Sequence, residues 1–169
     1  MDLVIDNNPN IARQVTSGEL DIAVMEWWHP KPGFQAVDWR QEPVVLITSP
    51  EHPYAEWHEI DRTTLAGMSL LGGEPGTGTG RLLANFFGDK GPFPNVSMQL
   101  GSTEAVKQAV KAGLGVSLVL AACVEEEIRA GTLCAIPVSD GACQKLSVIC
   151  PETLARQPPV STFVSHICQ

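Results

Sequence analysis

Short apolar segments with the character of β-strands alternate with amphipathic helical patterns along the whole of this 169-residue chain. In residues 20–25 the apolar side chains point to both faces, as in a parallel strand that helices cover on both sides. The predicted strands are residues 2–6, 20–25, 44–48, 68–71, 96–100, 116–120, 133–138 and 145–150, and helical patterns lie between most of them. A short terminal helix is predicted over residues 162–167. This alternation predicts an α/β fold.

The charge balance argues against direct binding of this chain to DNA. Acidic residues outnumber basic residues by 19 to 11, which gives a formal net charge of −8 at pH 7. Binding to a phosphate backbone needs clustered Lys and Arg that release counterions, so this chain alone is not expected to bind DNA. No apolar run approaches the roughly 18–20 residues of a membrane-spanning helix, and no segment has the pattern of a secretory signal peptide. We therefore expect a cytoplasmic protein with no membrane partner.

Patterns typical of metal sites and catalytic centres are missing from the sequence. The cysteines show neither a CxxC spacing nor a Cys/His pairing, and we interpret them as buried or free thiols, with a redox or ligand-binding thiol as the alternative. The histidines fall in no nucleophile arrangement, and neither GxSxG nor HExxH occurs. We predict no metal, no cofactor, no catalytic residue and no enzymatic activity. The residues considered are Cys123, Cys134, Cys143, Cys150, Cys168, His29, His52, His58 and His166.

A glycine- and threonine-rich loop, residues 72–80, joins a predicted strand to a helix with Leu82, Leu83, Phe86 and Phe87 on one face. Such a loop directs backbone N–H groups and hydroxyls toward one point, where the helix dipole favours an anion or a carboxylate. The loop is neither GxGxxG nor GxxxxGK[ST], so neither a dinucleotide fold nor an NTPase is indicated. A turn that only reverses the chain is the alternative.

A second loop of this kind follows the strand at residues 96–100. Ser102 or Thr103 can cap the next helix, although a capping hydroxyl is usually only structural. We place Lys107 and Lys111 on the outward face of that helix. The acidic run at residues 125–127 is interpreted as a solvated helix face.

Four segments carry a family resemblance. They are residues 18–24 (GELDIAV), His52-Pro53, residues 74–79 (EPGTGT) and residues 101–116 (GSTEAVKQAVKAGLGV). In order and spacing they resemble the effector-binding domain of LysR-type transcriptional regulators, and the resemblance covers essentially the whole chain. The last segment is the most specific.

The resemblance implies a two-lobed fold like that of type 2 periplasmic binding proteins, with residues 44–48 and 145–150 as hinge crossover strands. Lobe one would comprise residues 1–47 and 145–169, and lobe two residues 48–144. A small-molecule effector, anions included, would bind between the lobes. The effector-contacting positions of the family fall on Thr77, Gly78, Thr79, Ser102 and Thr103, with Ile47 and Thr48 lining the floor of the cleft.

Two departures from the family pattern matter. Relatives often carry a basic residue directly after the threonine of the first loop, whereas here Gly80 intervenes before Arg81. The family's winged helix-turn-helix, its linker helix and the first strand and helix of its effector domain also match nothing in residues 1–169. We therefore expect this chain to contact DNA only through a domain that it does not contain. Without the family's first strand, lobe one would have a strand edge left unpaired. Because an unpaired strand edge is a template for association, we also expect a dimer or larger oligomer.

Two further functions fit the same fold. A periplasmic-type solute-binding protein would deliver its ligand to a transporter. A dehydratase acting on a small carboxylate would need acids or bases that converge in the pocket, and Glu74 is the only acid in the loop that could serve it. A role for Glu74 as a turn residue is the alternative.

Overall fold

The computed structural model describes residues 2–75, 77–88 and 95–168. The chain forms two compact units, Met1–Gln41 with Gln144–Gln169, and Glu42–Cys143. We call these the first and the second unit. The elements in chain order are α1 (Asn8–Ser17), β1 (Ala23–Met25), β2 (Phe34–Thr48), α2 (Arg62–Ala66), β3 (Ser69–Gly73), α3 (Gly78–Phe87), β4 (Asn95–Leu100), α4 (Thr103–Lys111), β5 (Ser117–Leu120), a 3₁₀ turn (Ala121–Cys123), α5 (Glu125–Arg129), β6 (Cys134–Pro137), β7 (Cys143–Pro151), α6 (Glu152–Ala155) and α7 (Pro158–Ile167).

The first unit packs helix α1 against the paired strands β1 and β7. Asn7 caps α1 by accepting the Asn10 N–H at 3.0 Å, and Gly18 ends the helix in the left-handed region with φ 79°. β1 runs antiparallel to β7, with Ala23 opposite Ile149. The unit's core is formed by Ile11, Val15, Ala23, Met25 and Ile149. The apolar residues of α1 therefore pack into the small core of the first unit.

The predicted strand at residues 2–6 is wrong. The structure forms neither helix nor strand there, and the side chains of Leu3 and Ile5 are 79% and 88% exposed. Asp6 instead accepts the Asn7 N–H at 2.7 Å and the Asn10 side-chain amide at 3.0 Å, so it supports the start of α1. Apolar alternation alone does not make a strand, because a strand must also pair its backbone groups with a neighbour.

Three helices differ from the sequence prediction. Helix α2 was not predicted, although Asp61 caps it by accepting the Thr64 N–H at 2.8 Å. The short helix α6 was not predicted either. The terminal helix, predicted over residues 162–167, begins earlier, at Pro158. A proline at the first helical position loses no intrahelical hydrogen bond and has its φ already suited to a helix, so Pro158 can begin α7 four residues before the predicted start.

The second unit is built on two groups of strands. The end of β2 runs antiparallel to both β5 and β6, and Val45 lies opposite Val119 on one side and Pro137 on the other. Strands β3 and β4 are parallel, with Gly73 opposite Leu100. The two groups are joined where the Leu71 N–H donates to the Val116 carbonyl at 2.8 Å.

The core of the second unit lies between these strands and helix α4. Helix α4 buries Val106, Ala109 and Val110, whose spacing places them on one face. The whole cluster is Val45, Ile47, Leu71, Val106, Ala109, Val110, Val119, Val124 and Leu133. This packing fixes α4 against β3 and the end of β2.

The parallel pairing of β3 and β4 determines where the candidate site lies. Their carboxyl ends meet at one edge, so α3 and α4, which follow them, begin side by side. Among the residues that the structure describes, no helix is both long and apolar enough to span a bilayer.

Candidate functional site

The starts of α3 and α4 lie at the shared end of β3 and β4. The Glu74 N–H donates to the Leu100 carbonyl at 2.9 Å, which continues the sheet by one bond beyond Gly73. The first amides of an α-helix have no partner within the helix and carry the positive end of its dipole. Two such ends therefore point toward one region of the second unit.

The turn from β3 into α3 is held by Thr77. Its hydroxyl donates to the Glu74 carbonyl at 2.7 Å and accepts the Gly80 N–H at 3.2 Å, so Thr77 is the N-cap of the helix. The only proton of this hydroxyl is used inside the turn. Thr77 can offer a ligand one remaining lone pair and no proton.

The same turn leaves no room for a side chain at Gly73 or Gly80. A Cβ at Gly80 would lie 2.6 Å from the Gly73 carbonyl oxygen and would also clash with the Glu74 carbonyl. A Cβ at Gly73 would lie 2.6 Å from the Gly80 amide nitrogen and would clash with the Thr77 hydroxyl. This close approach of two backbone segments requires a residue without a Cβ at position 80.

Helix α4 begins in a different way. Ser102 is its N-cap and accepts the Ala105 N–H at 3.1 Å, while Glu104 places a negative charge in the first turn. Of the two hydroxyls that could cap this helix, the serine does so. Thr103 is therefore left for another contact.

That contact is with the first loop. The hydroxyls of Thr79 and Thr103 are 3.0 Å apart, and either one can be the donor. Thr79 is 2% exposed. Two hydroxyls carry two protons and one bond uses one of them, so the pair keeps one proton for a further acceptor. Both threonines belong to the second unit, so this contact joins two loops of one unit.

The region around this pair suits a hydrogen-bond acceptor. One hydroxyl proton and the free amides of two helix starts favour a carboxylate or another anionic group. The Glu74 carboxylate lies beside the second loop, since a methyl group on Gly101 would lie 3.9 Å from Glu74 Oε2. A ligand here must place its acceptor atoms away from that carboxylate.

The other predicted site residues lie in the same unit. Gly78 is the first residue of α3. Ile47 and Thr48 end β2, and neither side chain is exposed. Ile47 belongs to the hydrophobic core, whereas the Thr48 hydroxyl is buried without a hydrogen-bond partner. That all seven residues contact an effector stays a prediction.

An ion network missed by the sequence analysis supports α4 from the other side. Lys107 Nζ lies 2.8 Å from Glu104 Oε2, 2.8 Å from Glu127 Oε1 and 3.1 Å from the Cys123 carbonyl oxygen. The side chains of Lys107 and Glu127 are only 13% and 12% exposed. The prediction that Lys107 points outward is wrong, and so is the interpretation of Glu127 as part of a solvated face. The aliphatic stem of Lys107 packs against protein and only its ammonium is paired.

The network shifts the titration of its members. Burial of the ammonium lowers the pKa of Lys107, but hydrogen bonds to Glu104 and Glu127 outweigh burial and the pKa is raised overall. The Lys107 ammonium lowers the pKa of both carboxyl groups. The stability that these carboxylates contribute is therefore present above their ordinary pKa of 4.5 and is lost as the pH falls through the lowered values.

All five cysteines lie in the described part of the chain, and the thiols of Cys134, Cys143, Cys150 and Cys168 are free. Burial raises the pKa of the Cys150 thiol. Within residues 2–75, 77–88 and 95–168, no three His, Cys, Asp or Glu side chains are grouped closely enough to hold a metal ion.

The sequence of this chain is similar to those of known transcriptional regulators. The sequence model described as "LysR substrate binding domain" matches residues 1–169. The regulator PtxE of Stutzerimonas stutzeri is 52% identical over 79 residues, which are 47% of this chain and 40% of PtxE. The regulator CbbR of Xanthobacter flavus is 34% identical over 135 residues, which are 78% of this chain and 40% of CbbR.

A solved structure shares the fold. The regulatory domain of CcmR from Synechocystis PCC6803, in complex with 2-PG, superposes with a TM-score of 0.82 at 22% identity, covering 96% of this chain and 78% of that domain. The predicted α/β class and type 2 periplasmic-binding-protein-like fold are thereby confirmed. The chain spans only 40% of the length of PtxE and of CbbR.

Proposed function

Because this chain belongs to the LysR substrate-binding domain family, we propose that it is the effector-sensing domain of a LysR-type transcription factor. The observation that carries the proposal is the hydroxyl pair of Thr79 and Thr103, 3.0 Å apart where two helices begin. The relatives matched above are named as transcriptional regulators. The proposed role is therefore to bind a small metabolite and to pass the signal on, without chemical turnover.

The effector class follows from the donors that the site presents. One free hydroxyl proton and helix amides hydrogen-bond an acceptor, so we propose a small metabolite with a carboxylate, sulfate or phosphate group. The buried Thr48 hydroxyl, which has no partner, is a further candidate donor. CcmR was solved with 2-PG, which makes that compound a suitable first probe.

A thermal-shift screen tests the proposal. The probes are 2-PG, sulfate, inorganic phosphate and a set of small carboxylates. A ligand at one hundred times its Kd stabilises the folded state by about 2.7 kcal/mol, which raises the Tm of a chain of this size by about 5–10 °C. We expect at least one probe to do so, and we expect Thr103→Ala to lose most of the rise, because it removes the partner of Thr79 while Ser102 still caps α4.

Two variants control this screen. Thr77→Ala should lower the baseline Tm, since loss of an N-cap costs about 1 kcal/mol, and should reduce the rise as well. Thr63→Ala changes an exposed threonine on α2 and should keep the full rise. A full rise in both Thr77→Ala and Thr103→Ala would move the site elsewhere.

We further propose that the domain acts as a dimer or larger oligomer, and that DNA is contacted by a separate domain of a longer protein. Exposed apolar side chains at Leu3 and Ile5, 79% and 88% accessible, support association. Sedimentation velocity should therefore give a mass at least twice that of one chain, and Leu3→Ser with Ile5→Ser should shift the distribution toward monomer. A single monomeric species over the whole concentration range would contradict this proposal.

A further inference from the structure

The ammonium of Lys107 is bound on three sides. A lysine has three N–H donors, and here each has an oxygen within hydrogen-bond distance, on Glu104, Glu127 and the carbonyl of Cys123. Glu104 lies on the same helix as Lys107. The other two acceptors belong to α5 and to the 3₁₀ turn, so the lysine joins α4 to the segment that follows β5.

This junction lies one helical turn from the hydroxyl pair. Residues four apart in a helix lie on the same side, so Lys107 follows Thr103 along one face of α4. Any rotation or sliding of α4 that lengthens the Lys107 contacts to Glu127 and Cys123 also moves Thr103 relative to Thr79, which α3 holds independently. The distance between the two hydroxyls therefore depends on where Lys107 fixes the helix.

Lys111 gives a natural comparison on the same helix. Its Nζ lies 3.5 Å from Glu127 Oε1, and its side chain is 26% exposed. A longer and more exposed ion pair contributes less to the stability of the fold, because solvent screens the two charges. The two lysines have the same chemistry and share one acceptor, but only Lys107 is held by three short contacts.

We propose that Lys107 is a positioning residue of the effector site, which holds α4 against α5 and the 3₁₀ turn so that Thr103 stays in contact with Thr79. The expected effect of Lys107 on effector binding rests on the proposed function. Its expected effect on the contact between Thr79 and Thr103 does not depend on that function, and it is measured without any ligand.

The test is a double-mutant cycle for Thr79→Val and Thr103→Val, measured by urea unfolding in three backgrounds. Valine keeps the shape of threonine and removes the hydroxyl. In the parent we expect the two substitutions to be coupled by a factor of about 2–10 in the unfolding equilibrium constant, as for one hydrogen bond. In Lys107→Met the coupling factor should fall to about 1, and in Lys111→Met it should equal the parent value.

Each outcome either supports or overturns the positioning role of Lys107. Loss of coupling in Lys107→Met alone supports the positioning role. Coupling that is unchanged in Lys107→Met, or lost equally in Lys111→Met, overturns it. If Lys107→Met does not fold, Glu127→Gln takes its place, because it removes one charge and keeps an acceptor. In Glu127→Gln the coupling factor must fall below the parent value. An unchanged coupling factor there overturns the proposal. Since no effector is used, failure of the proposed function would leave this result intact.

Discussion

Gly80→Ala is expected to destabilise the second unit by about 1–3 kcal/mol, the range for strain at a backbone position that tolerates no side chain. The new Cβ would lie 2.6 Å from the Gly73 carbonyl oxygen and would also clash with that of Glu74. Both obstacles are backbone atoms, so no side-chain rotation relieves them. Relief requires the turn to open, which breaks the Thr77 cap and displaces Thr79. Urea unfolding followed by circular dichroism measures the loss.

Gly101→Ala is the matched control for this prediction. It lies at the start of the neighbouring loop, and an added Cβ would meet only Glu74 carboxylate atoms at 3.9–4.0 Å, an ordinary contact. A glycine replaced by alanine where the backbone allows it is expected to be neutral or to stabilise by about 0.4–1 kcal/mol. If Gly80→Ala were as stable as Gly101→Ala and kept its ligand response, the tight turn described here would be wrong.

Leu71→Ala is expected to cost about 2–5 kcal/mol, the range for a leucine truncated inside a well-packed core. Leu71 is 1% exposed and belongs to the core cluster that also contains Val106 and Val119. Its side chain also lies against the backbone of Gly115, where a Cβ would come within 3.1 Å of Leu71 Cγ. The cavity left by alanine is bounded by backbone on that side, so it closes only in part.

The exposed Leu114 gives the control for this second prediction. Leu114 is 59% exposed, so Leu114→Ala is expected to change the free energy of unfolding by less than about 0.5 kcal/mol. Both variants remove the same atoms from the same unit. Equal losses in the two would contradict the assignment of Leu71 to the core.

The two loops of the site could be predicted because their signals are local. A strand that runs into glycine, threonine or serine and then into a helix defines a cap within a few residues, and Thr77 and Ser102 are such caps. The contact between Thr79 and Thr103 required one more step, the parallel pairing of two strands. The family resemblance assigned both threonines to one effector site, but it did not predict this pairing.

Lys107 could not be found in this way. Helical spacing placed it away from Val106, Ala109 and Val110, which are the buried face of α4. Its burial depends on Glu127, twenty residues further along the chain, on an element whose packing no local pattern specifies. The failed strand at residues 2–6 has a similar cause, because the pairing of a strand edge is decided by distant residues.

The most direct test of the central claim follows Thr79 and Thr103 during ligand titration. Protein labelled with ¹³C at threonine methyl groups is titrated with the probe that gives the largest thermal shift, and the two signals are assigned from Thr79→Ser and Thr103→Ser. We predict that these two methyl resonances move in proportion to ligand occupancy, while that of Thr63 on α2 stays in place. Saturation of binding with both signals unmoved would show that the metabolite site does not lie where α3 and α4 begin.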